Sequence, residues 1–254
     1  MKYYAALMAM ALVINIASYK IGNVTAGADQ PENETGYTQA DLRNGAQLYD
    51  NWLTLTQKSP AGNHPLYPAG SKKSGKSTWR CKECHGWDYI GDKGRYSKGS
   101  HFTGIAGVYH ARTEAPATIY KKLTDKDASH DFSTYLTKSE LWNLVRFLRE
   151  GQQEITPVIN AKGQAKGNGT QGKILYDSQC SSCHGLDGNE IDFKGKKEGI
   201  QGIGWLTNDN PQESIHKIRW GHPGTDMPSM ISDEGLSEQD AIDILTYSQL
   251  LGSE

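Results

Sequence analysis

Four cysteines are the whole complement of this 254-residue chain, and all four fall into two copies of one pattern, Cys81-Lys82-Glu83-Cys84-His85 and Cys180-Ser181-Ser182-Cys183-His184. C-x-x-C-H reads as an attachment site for c-type haem: the thiols form thioether bonds to the vinyl groups and the adjacent imidazole binds the iron. One short helical turn must reach both the porphyrin edge and the metal, which is why the spacing is tight. Disulfides suit exported proteins, but would make both trailing histidines a coincidence. Zinc sites with two C-x-x-C pairs keep them about 15 to 20 residues apart, and thioredoxin-like pairs sit in a βαβ pattern; neither condition is met. The sequence therefore predicts two covalently bound haem c groups, held by Cys81, Cys84 and His85 and by Cys180, Cys183 and His184.

Haem attachment of this kind agrees with the first residues. Lys2 precedes an apolar run from Ala5 to Ala17 and then the small-residue site Ala26-Gly27-Ala28, the pattern of a secretory signal peptide covering 1–28 and cut before Asp29. The run is too short for a convincing transmembrane span, so no stable membrane insertion of the mature chain is expected, and the predicted location is periplasmic. Cleavage removes Lys2 and Lys20 and no acids, taking the formal charge from −2 to −4. An acidic chain with four haem propionates argues against nucleic acid as a partner and favours a basic docking surface on redox partner proteins.

The chain also repeats itself. Gly45-Ala46-Gln47-Leu48-Tyr49-Asp50 matches Gly172-Lys173-Ile174-Leu175-Tyr176-Asp177, Ala115-Pro116 matches Asn210-Pro211, and each half closes with an amphipathic segment, Ser139 to Glu150 and Glu238 to Leu251. Pro116 and Pro211 suit a first helical turn. Leu141, Leu144, Val145 and Leu148 share one helical face, as Ile242, Leu245, Tyr247 and Leu251 do less neatly. Gly45 and Gly172 weaken the helices they sit in, so they are expected to mark a close helix crossing. The glycine-rich stretch 152–171 reads as a linker, separating a first domain at 29–151 from a second at 172–254. A Gly, Ser, Pro and Lys-rich insertion at about 59–77 is expected to be a surface loop with a docking role.

Helix, haem motif, loop and helix, repeated, resembles the two-domain dihaem members of the class I cytochrome c family over nearly all of residues 37–254. The resemblance implies an all-α fold of two tandem domains, each a few helices wrapped round a covalent haem. Gly221-His222-Pro223-Gly224-Thr225-Asp226-Met227-Pro228 resembles that family's distal-ligand loop, which implies Met227 as the sixth ligand of haem 2, with Met230 as the alternative. Met1, Met8 and Met10 leave with the signal peptide, so haem 1 has no methionine in its own domain. Laying the two halves together puts His130 in the methionine's place. His101 and His110 are the alternatives, with Lys126 or an open position behind them, since imidazole is the usual substitute at haem iron.

A second imidazole favours ferric iron and a thioether favours ferrous iron, so haem 1 is expected at low potential and haem 2 at high potential. Two six-coordinate haems leave no substrate site, and the leading expectation is a periplasmic electron carrier. The alternatives are an oxidoreductase with haem 1 as its catalytic centre, or the cytochrome subunit of a larger dehydrogenase or reductase complex. Dihaem thiosulfate dehydrogenases resemble this layout but place a cysteine on the active haem, and no cysteine is spare; peroxidase or nitrogen-oxide chemistry needs only an open iron.

Overall fold

The computed structural model describes residues 32–195 and 199–252, so the expected signal peptide lies outside the described residues. Eleven short helices carry most of the order among them. The first half holds α1 (Glu32–Thr38), α2 (Leu42–Thr56), α3 (Cys81–His85), α4 (Pro116–Leu123) and α5 (Lys138–Arg146), followed by α6 (Ile155–Val158). The second half holds α7 (Gly169–Gln179), α8 (Ser181–His184), α9 (Ile203–Asp209), α10 (Pro211–Trp220) and α11 (Glu238–Ser248). The helical expectation holds with one exception. A two-stranded antiparallel hairpin, β1 (Thr124–Asp125) and β2 (His130–Asp131), follows α4.

The same local chemistry builds each half. Asp41 caps α2 by accepting from the Asn44 amide, and Asn168 caps α7 by accepting from the Thr170 and Gln171 amides. α5 and α11 both open with reciprocal capping boxes, Thr137 with Glu140 and Ser237 with Asp240, each satisfying otherwise orphaned amides. Pro116 and Pro211 occupy the first turns of α4 and α10.

Those capped helices cross in pairs, α2 on α5 and α7 on α11. A Cβ placed on Gly45 would fall 1.9 Å from the carbonyl oxygen of Asn143, and one on Gly172 would fall 1.9 Å from that of Asp243. Side chains lock the crossing from the other direction. Asn143 Oδ1 accepts from the Asp41 amide and Asp243 Oδ1 from the Asn168 amide, both at 2.7 Å. The glycines are required by backbone contact.

α11 buries Ala241, Asp243, Ile244, Leu245 and Ser248; of the expected stripe Leu245 and Leu251 are buried and Ile242 and Tyr247 half-buried. Packing corrects two sequence expectations. The final segment of the first half leaves the α register at Phe147 and ends in a π turn through Gly151. The stretch 152–171 is not an open linker: Val158 and Ile159 are buried in the second core, the Lys166 amide donates to Val158 O, and the Gly167 amide donates to Thr246 Oγ1. Few apolar residues suffice there because backbone hydrogen bonds to α11 fix it.

The halves are joined by α10. Its Trp220 is buried in the first half's core beside Leu48 and Phe147. His216, 1 % exposed, donates from Nε2 to Ala46 O and accepts at Nδ1 from the Tyr89 hydroxyl. Burial holds that imidazole down at about 4, so it is neutral and both nitrogens are satisfied. Arg219 donates to Gly151 O and pairs with Glu238. Gln47 Nε2 reaches Trp220 O at 2.9 Å.

Replacing Gly45 or Gly172 with alanine should separate the paired helices and cost about 1–3 kcal/mol each. Thermal unfolding followed by circular dichroism should show a lower midpoint for both; a loss at only one would mean that the crossings are not equivalent.

Candidate functional site

The first C-x-x-C-H segment forms α3 and the second runs from Cys180, at the junction of α7 and α8, through α8; both are anchored alike to the helix crossings. Tyr49 Oη donates to Gly86 O at 2.6 Å and Tyr176 Oη donates to Gly185 O at 3.0 Å. Each glycine follows the motif histidine with φ of +80°, a conformation other residues adopt only with strain. The next turns also correspond: the Gly91 amide donates to His85 O, and the Glu190 amide to His184 O. The four cysteines are unpaired, and burial pushes Cys81, Cys84 and Cys180 up to about 12, the range of neutral thiols. Among the described residues no three His, Cys, Asp or Glu side chains are grouped to hold a bare metal ion.

Around His85 the first half encloses a cavity of about 400 Å³ lined by Cys81, Cys84, His85 and His130, with Ile119, Leu123, Phe132, Leu144 and Leu148 supplying apolar walls. The imidazoles of His85 and His130 face one another across it with ring centres 6.3 Å apart and planes at 78°. Metal–imidazole bonds of about 2 Å on opposite faces of one iron would put the ring centres about 6 Å apart. Both rings are oriented by the same device. His85 Nδ1 donates to Ala106 O and His130 Nδ1 donates to Lys122 O, each at 2.8 Å. A carbonyl can only accept, so each Nδ1 carries the proton and each Nε2 keeps its lone pair, the tautomer a metal ligand needs. Burial lowers His85 to about 4, keeping it neutral. The residues therefore fit a haem bound through Cys81, Cys84 and two imidazoles.

The alternative histidines are placed otherwise. His101 is stacked on Tyr96 and its Nδ1 lies 3.3 Å from Glu83 Oε2, outside the cavity wall. His110 sits at the rim, more than half exposed, with Nε2 3.4 Å from Glu114 Oε1. Each has a ring nitrogen within 3.4 Å of a carboxylate oxygen. Lys126 is exposed at the hairpin tip.

One cavity residue escaped the sequence reading. His64, inside the insertion expected to be a surface loop, is 6 % exposed, with its ring centre 4.5 Å from that of Trp79 and 6.2 Å from that of His130. Leu66 lines the cavity with it and Tyr67 is buried, so part of the insertion is cavity wall. Polar composition hid this; a histidine followed by Pro65 and Leu66 was the only available signal.

The second site is more open. Cys183 is exposed, and Leu186, Phe193 and Ile200 after the motif are exposed apolar side chains, with Leu186 at 69 %. His184 Nδ1 is buried without a partner. An apolar surface of this kind beside a reactive motif suits a flat hydrophobic group lying over it. Met227 is half-buried in the loop after α10, where its carbonyl accepts from the His222 amide, whereas Met230 is buried in the second core and its amide donates to Ile218 O.

The two motifs also differ in what surrounds them. Ser181 is half-buried, its hydroxyl donating to Asp177 O, and Ser182 is exposed, but Lys82 and Glu83 are buried, paired at 2.6 Å, with Lys82 Nζ over the Trp87 ring. Burial raises the Glu83 carboxyl, but His101 and Lys82 beside it outweigh that and hold it at about 2. Asp50, fully buried, pairs with Arg80 at 2.5 Å.

Residues 167–247 match the family model described as cytochrome c oxidase, cbb3-type, subunit III. This supports a c-type cytochrome, an electron-transfer protein with covalently bound haem c and redox partners. No curated protein matches the chain. No helix among the described residues is long and apolar enough to cross a membrane.

Glu83 gives a pH test. Its folded value lies below the ordinary range near 4.3, so the stability it contributes is full above that range and is lost as pH falls toward 2. Glu83→Gln should be less stable than wild type at pH 7, and the gap should narrow by pH 3. Denaturant unfolding at both values checks this.

Proposed function

We propose that this c-type cytochrome is an exported dihaem electron carrier, with two tandem class I cytochrome c domains whose haems are ligated unequally. Haem 1 is attached at Cys81 and Cys84 between His85 and His130; haem 2 is attached at Cys180 and Cys183 between His184 and Met227. The observation that carries this reading is the pair of facing imidazoles, 6.3 Å apart, each with Nδ1 tied to a carbonyl. Bound haem would supply one-electron chemistry. The chain supplies ligands, an apolar wall, and a fixed spacing between the halves through α10.

The duplication supports a second haem. The capping residues, the crossing glycines, the tyrosine-to-glycine bonds and the motif histidines all recur, and the family match falls on the second copy. Unequal ligands separate the potentials: a thioether raises the potential of its iron relative to a second imidazole. Haem 1 is then the low-potential site and haem 2 the high-potential site, which sets a direction across the protein.

In the oxidised holoprotein, low-temperature EPR with near-infrared magnetic circular dichroism should show one bis-imidazole and one imidazole–thioether low-spin haem. His130→Ala should convert one haem to high spin, while His101→Ala and His110→Ala should not. A redox titration should resolve two midpoints, the lower one belonging to the haem altered by His130→Ala. A low-spin His130→Ala protein, or a reversed order of midpoints, would overturn the assignment.

A further inference from the structure

We propose that the face of haem 1 occupied by His130 is also a binding site for a small neutral diatomic molecule, with His130 as a displaceable occupant and His64 as the hydrogen-bond donor to the incoming ligand. This rests on the reading that haem 1 fills the cavity beside His85.

His64 is distinguished from the two facing imidazoles by its tautomer. The Leu66 amide donates to His64 Nδ1 at 3.2 Å, so Nδ1 holds a lone pair and the neutral ring carries its proton on Nε2. A ring in that state cannot ligate iron through Nε2, but it can donate a hydrogen bond from it. His85 and His130 have the opposite arrangement, with Nδ1 donating to backbone carbonyls. Three histidines of one cavity thus divide into two ligands and one donor.

The two distal histidines also differ in how firmly they are held. His64 is 6 % exposed, its amide donates to Thr78 Oγ1 at 2.9 Å, and its ring is stacked against Phe132 at 5.8 Å and set edge-on to Trp79. His130 stands on a hairpin of two residues per strand whose connecting residues Lys126, Asp127, Ala128 and Ser129 are all exposed, with Ser129 at φ of +54°. A short, exposed element with little buried contact opens at lower free energy than the core behind it. A fixed donor beside a removable ligand is what a small molecule entering that position would need, because distal donors and steric access decide what binds haem iron.

His64 lines the cavity with its ring held through Nδ1, so its Nε2–H is the group left to donate. The ligand class follows from the site: the cavity beside His130 is walled by Phe132, Trp79 and Leu66, and His64 offers one donor without positive charge, which suits an uncharged molecule whose outer atom accepts a hydrogen bond.

Carbon monoxide added to the dithionite-reduced full-length holoprotein is the probe, read by the infrared C–O stretch and the dissociation rate. Wild type should bind slowly at haem 1 as His130 yields, and His130→Ala should bind fast. Adding His64→Leu to His130→Ala should raise the C–O stretching frequency and speed dissociation several-fold, while His64→Gln, which keeps a donor, should retain most of the wild-type band. The imidazole–thioether spectrum of haem 2 reports that each variant is folded. Identical C–O bands with and without His64 would overturn the donor role, and wild type that never binds at haem 1 would overturn displacement. A His130→Ala protein that stays low-spin before any ligand is added would instead overturn the ligand assignment beneath both.

Discussion

Each half depends on one contact, a helix backbone pressed directly against another helix's carbonyl at a position where no side chain fits. Gly45 meets Asn143 O and Gly172 meets Asp243 O, and the helices come close enough for Asn143 and Asp243 to cap the partner helix through its first amide. From this crossing the tyrosine one turn further along, Tyr49 or Tyr176, reaches the glycine carbonyl that ends the C-x-x-C-H turn. The motif histidine is thereby placed relative to the crossing rather than to a flexible loop. A larger residue at the crossing would move the capping amide, the tyrosine and the histidine together.

The halves diverge where they meet. α10 of the second half inserts Trp220 and His216 into the first, and the first motif's Lys82 and Glu83 are enclosed where the second motif's Ser181 is half-buried and Ser182 exposed. Burying charge is costly unless partners are provided, and here Lys82 pairs with Glu83 and Arg80 with Asp50. Removing Lys82 or Arg80 strands a buried carboxylate. The same enclosure leaves the first site deep and the second open, so two copies of one motif meet different surroundings.

Hydrogen bonds made by the imidazoles, more than their mere proximity, sort the histidines of the first site. Four of them, His64, His85, His110 and His130, line one cavity. Two donate from Nδ1 to carbonyls, one accepts at Nδ1 from an amide, and one faces a carboxylate at the rim. Metal affinity, donor capacity and exposure follow from those partners.

The sequence by itself determined the number of C-x-x-C-H motifs, the internal duplication and the helical class, because cysteine spacing, capping residues and crossing glycines act over a few residues or recur where a backbone contact demands them. Register between the copies put His130 first among candidates that included His101 and His110. Tertiary structure decided what depends on distant partners. His64 entered the cavity because Thr78 and Phe132 fold an otherwise polar insertion inward; residues 152–171 became wall rather than linker because α11 supplied hydrogen-bond partners; and the tautomer of each histidine was fixed by carbonyls and amides such as Ala106 O, Lys122 O and the Leu66 amide. No local pattern encodes such partners, since the groups that choose a proton's position on a ring come together only when the chain has folded.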